Sequence, residues 1–284
     1  MVNRVLHSTV PRWNYAERGT DFLSEDWDNL IILDACRHDL LAANGSLPGD
    51  LQKRESKAAS TVDFLKTNLD GGRFHDTVYV TANGQIFNFR DEIDVEFHEI
   101  VPLYAEEWDD ESGTVRPEDV TRRAKEASER FPDKRLLIHY VQPHMPFIGS
   151  ETEADKRRES DGEDPFWLRV FCGEVDLSPD ELWAAYEATL ELTLPHVREL
   201  MSDLPGRTVV TSDHGNMFGE RAHPIPIREW GHPSGVYTPE LVEVPWLVHD
   251  DGSRKRIVTE PPRDTELKSD PAVVEERLED LGYR

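Results

Sequence analysis

The sequence predicts an α/β fold with a mostly parallel central sheet and helices on both faces. Two observations predict it: short β-branched and apolar runs of strand length recur along the chain, and segments with helical periodicity separate them. Such alternation is typical of parallel strands whose connections cross the faces of the sheet. The 284 residues are enough for one large domain, so we predict a single domain over residues 1–284.

The individual elements follow from apolar runs and from residues that begin or end helices. The predicted strands are Leu30–Leu33, Thr77–Thr81, Arg135–Val141, Thr208–Thr211 and Val244–Val248. The predicted helices are Arg37–Asn44 closed by Gly45, a helix that begins at the capping residues Ser60–Asp63, Pro117–Arg130, Pro179–Ser202, and Pro271–Leu281. The acidic stretch Glu151–Asp164 has little apolar content, so we predict an insertion or lid at about residues 151–173.

The chain is strongly acidic, with 57 Asp and Glu against 32 Lys and Arg and a formal net charge of -25. Acidic residues that are spread along the chain, together with few lysines, are typical of proteins from a high-salt cytoplasm, where salt screens the self-repulsion. An acidic surface for a basic partner is the alternative. Because no basic patch is available to neutralise phosphates, the composition argues against nucleic-acid binding.

Targeting signals and cysteine frameworks are not recognisable in the sequence. Its apolar runs are of strand length, too short to span a membrane, and its first residues lack the pattern of a signal peptide. We therefore expect a cytoplasmic enzyme. Only Cys36 and Cys172 are present, which is too few for a disulfide framework, and neither has the spacing of a zinc finger.

Three segments place metal-ligating side chains close to apolar runs. Asp34 ends the first predicted strand, Asp213 and His214 follow the strand that ends at Thr211, and His232 lies in a Gly/Pro-flanked loop before the last strand. In open α/β sheets ligands bind beyond the carboxyl ends of the strands, so Asp34, Asp213 and His214 are expected to meet there. Carboxylate and imidazole ligands suit Mn, Mg, Ca or Zn.

Two adjacent hydroxyls lie at a predicted helix start. Ser60 and Thr61 precede the apolar part of that helix, where backbone N–H groups and the helix dipole stabilise phosphate oxygens. A metal bound to one of these oxygens would lower its pKa and make it a nucleophile. The alternative is a plain helix cap, and the choice between Thr61 and Ser60 is open at this stage.

Arg37, Gln142 and His139 are further polar residues close to these segments. Arg37 either neutralises a bound phosphate or pairs with Asp39, and Gln142 at the end of a strand is expected to donate to a substrate. A histidine within an apolar strand, such as His139, is more often a core residue than a ligand.

Four motifs together resemble the sulfatase branch of the alkaline phosphatase superfamily. They are Asp34-Ala35-Cys36-Arg37-His38-Asp39, Pro143-His144-Met145-Pro146-Phe147, Thr211-Ser212-Asp213-His214-Gly215 and Leu278-Glu279-Asp280-Leu281-Gly282-Tyr283. The resemblance implies a compact member with an alkaline phosphatase-like fold, in which Asp34, Asp213, His214 and a nucleophile near position 61 hold a metal. It also implies that His144 contacts the substrate and that His232 is a leaving-group residue or a second-metal ligand.

The residue that would act as nucleophile differs from that of the sulfatases proper. Those enzymes oxidise a Cys or Ser within a Cys/Ser-x-Pro-x-Arg motif, and no such motif occurs here. The resemblance then implies a hydroxyl nucleophile, Thr61 or Ser60, as in the phosphatase and transferase members of the superfamily.

The predicted function is therefore that of a metal-dependent hydrolase or transferase. It would act on a small-molecule or glycan-linked phosphate or sulfate ester, with His232 or His144 protonating the leaving oxygen. A sulfatase with an unconverted nucleophile and a degenerate member that only binds an anionic glycan are the alternatives.

Overall fold

A seven-stranded mixed sheet forms the centre of the protein in the computed structural model, which describes residues 2–10, 13–149, 166–263, 272–274 and 277. Its strands, in spatial order, are β2 (Asp50–Glu55), β11 (Glu243–Asp251), β8 (Gly206–Thr211), β1 (Asn29–Leu33), β7 (Arg135–Tyr140), β3 (Arg73–Thr81) and β4 (Glu96–Pro102). Two small hairpins lie outside it, β5 (Trp108–Asp109) with β6 (Thr114–Val115) and β9 (Met217–Arg221) with β10 (Arg228–Gly231).

The strands from β8 to β4 are parallel, and β11 alone runs in the opposite direction, so that it pairs antiparallel with β8 on one side and with the edge strand β2 on the other. All five residues of the central strand β1 are buried, as its continuous apolar run predicts for a strand covered on both faces. Ile32 pairs with His139 on one side and with Thr211 on the other. The carboxyl ends of β7, β1 and β8 are therefore level with one another.

Helices cover both faces, which confirms the predicted fold class. They are α1 (Val2–Thr9), α2 (Tyr15–Arg18), α3 (His38–Asn44), α4 (Thr61–Leu69), α5 (Gln85–Asn88), α6 (Leu103–Glu106), α7 (Pro117–Arg130), α8 (Phe166–Cys172), α9 (Pro179–Asp203) and α10 (Pro239–Val242). Successive residues of β1 point to opposite faces: Ile31 packs in the cluster that contains α7 and α9, and Ile32 packs with Phe64 of α4.

Most predicted elements are confirmed within one to four residues. Helix α7 has the predicted bounds, α9 begins with the capping box of Ser178 and Glu181, and α3 ends at Gly45 in the left-handed conformation. The elements that were not predicted are strands β2 and β4, the two hairpins, and helices α1, α2, α5, α6, α8 and α10. No helix in the described ranges is long and apolar enough to cross a membrane.

Two predicted segments fall wholly or partly outside the described residues. Residues 150–165, which include the acidic stretch, are not described, whereas the following residues form α8 with Phe166 and Val170 buried. Most of the predicted helix at 271–281 is also outside the described ranges. The acidic lid and the single domain over residues 1–284 stay predictions.

Candidate metal centre

The level carboxyl ends of β1, β7 and β8 bring three ionisable side chains together. Asp34 follows β1, Asp213 follows β8 by two residues, and His139 is the last residue but one of β7. All three side chains are fully buried. Ala35, the residue after Asp34, has a φ of 59°, a left-handed conformation that non-glycine residues rarely adopt and that turns the chain sharply at the site.

Asp213 is held through one of its two oxygens. Its Oδ1 accepts hydrogen bonds from the backbone N–H groups of Ala35 at 3.0 Å and His214 at 2.9 Å. Its Oδ2 is buried and has no hydrogen-bond partner in the described part of the chain. Burial alone would raise the pKa of Asp213, but the nearby histidines and the Ala35 N–H hold this pKa below its ordinary value. Asp213 is thus an ionised carboxylate with one oxygen left for a ligand.

The His214 ring is oriented by the backbone carbonyl of the next residue, Gly215. Its Nδ1 lies 2.7 Å from the carbonyl of Gly215, so Nδ1 carries the proton and Nε2 presents a lone pair. Nε2 lies 3.4 Å from Asp213 Oδ2 and 3.5 Å from Asp34 Oδ1. A hydrogen bond that fixes the ring in this tautomer is the usual support of a metal-bound histidine.

The two candidate hydroxyls have different environments. Thr61, the first residue of α4, has its Oγ1 3.2 Å from His214 Nε2 and 3.4 Å from both oxygens of Asp34. Ser60 is the N-cap, and its Oγ accepts a hydrogen bond from the backbone N–H of Asp63 at 3.3 Å. The fold therefore brings Thr61 into the group with Asp34, Asp213 and His214, which we call the ligand group.

The spacing of the ligand group fits one metal ion. Two atoms bound tetrahedrally to zinc at about 2.0–2.2 Å lie roughly 3.3–3.6 Å from each other. The contacts from His214 to both carboxylates and from Thr61 to His214 and Asp34 range from 3.2 to 3.5 Å. Oxygen and imidazole donors with an unpartnered buried carboxylate oxygen are what a divalent cation requires.

His139 was interpreted from the sequence as a core residue, and it also lies at this centre. Ligand atoms of Asp34, His139 and Asp213 all lie within 4.8 Å of one another. His139 Nε2 is 3.9 Å from Asp34 Oδ2 and from Asp213 Oδ2 and has no hydrogen-bond partner among the described residues, while Nδ1 is 2.9 Å from the Tyr79 hydroxyl. Burial lowers the pKa of His139 to about 4, so the ring is neutral.

Asn83 is a second residue that the sequence analysis missed. Its Nδ2 donates to Asp34 Oδ2 at 2.7 Å, and its backbone is held by the Thr81 hydroxyl through hydrogen bonds of 2.9 and 3.0 Å. Asn83 therefore fixes the orientation of the Asp34 carboxylate. The available signal was its place just after the predicted strand Thr77–Thr81, the same feature that identified Asp34.

His144 and His232 form a pair beside the ligand group. Their Nε2 atoms lie 2.8 Å apart, and the His232 ring centroid is 4.7 Å from that of His214. His144 Nδ1 lies 2.7 Å from the Met145 carbonyl and donates to it, so His144 Nε2 accepts the proton that His232 Nε2 donates. Burial lowers the pKa of His144 to about 4 and holds that of His232 well below its ordinary value.

Arg37 and Gln142 make their described contacts away from the ligand group. The Arg37 guanidinium pairs with Asp39 and Glu220, each at 2.6 Å, which is the ion-pair interpretation that the sequence left open. Gln142 donates from Nε2 to the backbone carbonyl of Val115 at 3.1 Å and is fully buried. A contact of either residue with a substrate stays a prediction.

Gly215 has a different role from the sharp turn that its sequence position suggested. Its φ is outside the left-handed range. A Cβ atom at this position would lie 2.0 Å from the backbone carbonyl oxygen of Glu240, and the Gly215 N–H donates to Leu241 at 2.7 Å. Glycine is needed because the chain after His214 passes against the segment of α10, and this close contact fixes the backbone that carries the ligand pair.

No family model and no curated protein matches the chain. Among solved structures it is similar to a protein of the alkaline phosphatase superfamily from Vibrio parahaemolyticus, with a TM-score of 0.45 and 14% identity over 92% of this chain and 67% of that one. It is also similar to a 2-O GAG sulfatase, with a TM-score of 0.49 and 11% identity over 92% and 71% of the two chains.

A third similar structure is the C-terminal periplasmic domain of the phosphoethanolamine transferase EptC from Campylobacter jejuni. The TM-score is 0.45 and the identity 12%, over 78% of each chain. The chain thus has structural similarity, at low sequence identity, to members of the alkaline phosphatase superfamily.

Proposed function

We propose that this protein is a metal-dependent hydrolase or transferase that acts on a phosphate ester through the hydroxyl of Thr61. One observation carries the proposal: the Thr61 Oγ1 lies 3.2–3.4 Å from His214 Nε2 and from the Asp34 carboxylate, at the start of a helix. A threonine that only began the helix would need neither the buried Asp34 carboxylate nor the His214 imidazole beside its hydroxyl.

Asp34, Asp213, His214 and Thr61 would hold the metal. His139 is the residue that would extend this set, since its Nε2 has no other partner among the described residues. Because two imidazoles are available beside the carboxylates, we propose zinc or manganese in preference to magnesium or calcium, which favour oxygen ligands. When bound, the metal would lower the pKa of the Thr61 hydroxyl and polarise a phosphoryl oxygen.

Thr61 is placed to attack the phosphorus atom. As the first residue of the nine-residue helix α4 it lies at the positive end of the helix dipole, which stabilises the negative charge of phosphoryl oxygens. In the proposed reaction a bond forms between Thr61 Oγ1 and phosphorus, and the bond from phosphorus to the leaving oxygen breaks. Water or an acceptor hydroxyl then releases the phosphoryl group from Thr61.

The histidine pair would supply the proton for the leaving oxygen. His232 Nε2 carries the proton in the present pairing, and this side chain is partly exposed whereas His144 is buried. Because burial keeps His232 neutral, it would take up a proton at Nδ1 as it gives its Nε2 proton to the leaving oxygen, so that the ring ends neutral; His144, which the Met145 carbonyl holds, orients His232 for this transfer. His232 is the proton donor and His144 its positioning partner.

The test is turnover of para-nitrophenyl phosphate, bis-para-nitrophenyl phosphate and para-nitrophenyl sulfate in high KCl, with Zn, Mn, Mg or Ca added singly. Thr61→Ala, Ser60→Ala and Asp213→Ala are assayed beside the wild type, and Thr61→Ser restores a hydroxyl as the matched control. We expect metal-dependent phosphate-ester turnover that Thr61→Ala and Asp213→Ala abolish and that Ser60→Ala and Thr61→Ser retain.

Other outcomes would change the assignment. Turnover of the sulfate ester alone would favour a sulfatase with an unconverted nucleophile. Metal binding without turnover of any of the three esters, together with binding of a phosphorylated or sulfated glycan, would favour a protein that only binds an anionic ligand.

A further inference from the structure

His232 lies in a short loop between two glycines. Gly231 and Gly235 have φ values of 67° and 72°, in the left-handed region, so the chain turns sharply on both sides of His232. Gly231 ends β10, and residues 232–235 belong to no helix or strand. We call residues 231–235 the histidine loop. Because no backbone ladder holds residues 232–235, the place of His232 depends on what the loop contacts.

Asp63 of α4 holds the far end of the histidine loop. Its Oδ1 and Oδ2 accept hydrogen bonds from the Ser234 hydroxyl at 2.8 and 2.9 Å. Its Oδ2 also accepts one from the Gly235 N–H at 3.1 Å. Hydrogen bonds to a carboxylate are stronger than those to a neutral acceptor. Both oxygens of Asp63 therefore fix the loop against the first turn of α4.

The same turn of α4 carries the proposed nucleophile. Thr61 lies two residues before Asp63, and the Asp63 N–H donates to Ser60 Oγ at 3.3 Å. The Phe64 N–H donates to the Ser60 carbonyl at 2.9 Å, which closes the first helical turn. Since the backbone of a helical turn is rigid, the distance between the Asp63 carboxylate and the Thr61 hydroxyl changes little.

The histidine loop also contacts the candidate metal centre. His232 Nε2 lies 2.8 Å from His144 Nε2, and the His232 ring centroid is 4.7 Å from that of His214. His214 Nε2 is in turn 3.2 Å from Thr61 Oγ1. Asp63 and Thr61 thus contact opposite ends of one arrangement, in which the histidine loop connects the first turn of α4 to the histidine pair.

We propose that Asp63 is a positioning residue that sets the place of His232 relative to Thr61. Its effect on turnover rests on the proposed function, in which Thr61 attacks phosphorus and His232 gives a proton to the leaving oxygen. An error of about 1 Å in such a position can cost roughly a hundredfold in rate. The alternative is that Asp63 only stabilises the amino end of α4 through the helix dipole.

Hydrogen exchange of the metal-free protein tests the contact without any turnover. Mass spectrometry of peptides that contain Gly235 measures how readily its N–H, which Asp63 accepts, exchanges with water. We expect exchange in the histidine loop to be about tenfold faster or more in Asp63→Ala than in the wild type. Asp180→Ala removes an exposed acidic residue from the first turn of α9 and is the matched control, with no change expected in the loop.

Two esters with different leaving groups test the effect on the reaction. The nitro group stabilises para-nitrophenolate, which leaves without a proton, whereas phenolate is a stronger base, with a pKa near the about 10 of tyrosine, and needs one. We expect Asp63→Ala to lower kcat/KM about thirtyfold or more for phenyl phosphate and less than about threefold for para-nitrophenyl phosphate. A residue that only stabilises the helix would lower both equally.

Ser234 separates the hydrogen bond from the charge of Asp63. Ser234→Ala keeps the carboxylate and its bond to the Gly235 N–H, so we expect a smaller loss, about fivefold, with phenyl phosphate alone. Ser234→Thr keeps the hydroxyl on this exposed residue and is expected to retain the wild-type ratio of the two esters. Melting curves confirm that each variant is folded before its kinetics are measured.

A double-variant cycle shows whether Asp63 acts through His232. His232→Gln removes the proton donor and is expected to have the same preference for the nitrophenyl ester. In that background Asp63→Ala is expected to change kcat/KM for phenyl phosphate by less than about threefold, because the group that it positions is already absent. A further loss as large as in the wild-type background would overturn the proposal.

Two other results would overturn it: unchanged exchange of the histidine loop in Asp63→Ala, or equal losses of kcat/KM for the two esters in that variant. Turnover of neither ester by the wild type would be a failure of the proposed function. The exchange measurement needs neither metal nor substrate, so it would then still decide whether Asp63 fixes the histidine loop.

Discussion

His139 Nε2 and Asp213 Oδ2 lie 3.9 Å apart in the fully buried centre, and neither has a hydrogen-bond partner among the described residues. The distance is too long for a hydrogen bond. Leaving a buried polar atom unpaired costs about 1–3 kcal/mol, so two such atoms next to each other need a compensating interaction. A divalent cation at the ligand group would satisfy both.

Metal affinity should depend on Asp213. We expect Asp213→Asn to weaken binding of zinc or manganese by about a hundredfold or more, because it removes the charge that balances the cation while it keeps the shape of the side chain. Isothermal titration of the metal-free protein measures this. Asp251→Asn, which changes an exposed carboxylate at the end of β11, is the control. Equal affinities for wild type and Asp213→Asn would exclude the ligand group as the metal site.

The hydroxyl of Tyr79 should strengthen metal binding by orienting the His139 ring. It lies 2.9 Å from His139 Nδ1, so Tyr79→Phe leaves the ring without the partner that orients it. We expect metal affinity to fall about tenfold to a hundredfold. Tyr140→Phe is the matched control, since it removes an equally buried hydroxyl that bonds to Thr121 at 2.7 Å. If both variants bind metal equally well, His139 is a structural residue only.

The two hydroxyls at the start of α4 should separate stability from activity. Ser60→Ala removes a helix cap and is expected to lower the free energy of unfolding by about 1 kcal/mol with turnover retained. Thr61→Ala is expected to abolish turnover with a smaller change in stability, because Ser60 still caps the helix. Urea unfolding and ester hydrolysis measure the two effects. Loss of turnover in Ser60→Ala alone would reverse the assignment of the nucleophile.

Glycine at position 215 should be essential for folding. A Cβ there would lie 2.0 Å from the Glu240 carbonyl oxygen, so we expect Gly215→Ala to destabilise the protein by more than about 3 kcal/mol or to prevent folding. Gly45 is the control: its φ is 58° and nothing lies within 4 Å of an added Cβ, so Gly45→Ala is expected to cost only about 1 kcal/mol. Similar losses in urea unfolding would contradict the account of Gly215.

Lys255 should make stability depend on pH. Burial lowers its pKa to about 8 from an ordinary 10.5, and its Nζ donates to Asn29 Oδ1 at 2.6 Å. Below about pH 8 the lysine is charged in both the folded and the unfolded chain, and its burial destabilises the fold. Above that pH the folded protein loses the proton first, so this penalty shrinks until the unfolded pKa is reached.

The comparison is with Lys255→Met, which cannot titrate. We expect the wild type to gain roughly 2–3 kcal/mol of unfolding free energy relative to this variant between neutral pH and about pH 10. The lost hydrogen bond to Asn29 shifts the variant at every pH, so the change with pH is the informative quantity. Parallel stability curves for the two proteins would show that burial does not shift Lys255.

The central sheet was predictable where a strand is buried on both faces. Strands β1 and β8 have continuous apolar runs, and α7 and α9 carry clear caps. Strands β2 and β4 were missed because they lie at the two edges, where half-exposed and charged residues interrupt the apolar pattern. Helix α1 was missed because its eight residues make only about two turns, which is too few for a helical repeat of apolar residues to be recognised.

The ligand group was predictable in part for the same reason. Asp34 and the pair Asp213 and His214 follow apolar runs, Thr61 and Ser60 lie at a predicted helix start, and a resemblance of motifs linked these residues to one metal site. His139 depends on how β7 is aligned with β1, and that register is set by tertiary packing and not by the sequence of either strand. The choice between Arg37 pairing with Asp39 and contacting a phosphate depends on the direction of one side chain, which a sequence does not specify.

Phosphoryl transfer through Thr61 is tested most directly by mass spectrometry of the wild type, quenched in acid during turnover of para-nitrophenyl phosphate. Digestion into peptides then locates any phosphoryl group. Our account predicts one phosphoryl group on Thr61, absent without added metal and absent in Asp213→Asn. A phosphoryl group on Ser60, or turnover with no phosphorylated residue in the peptide that contains both hydroxyls, would contradict it.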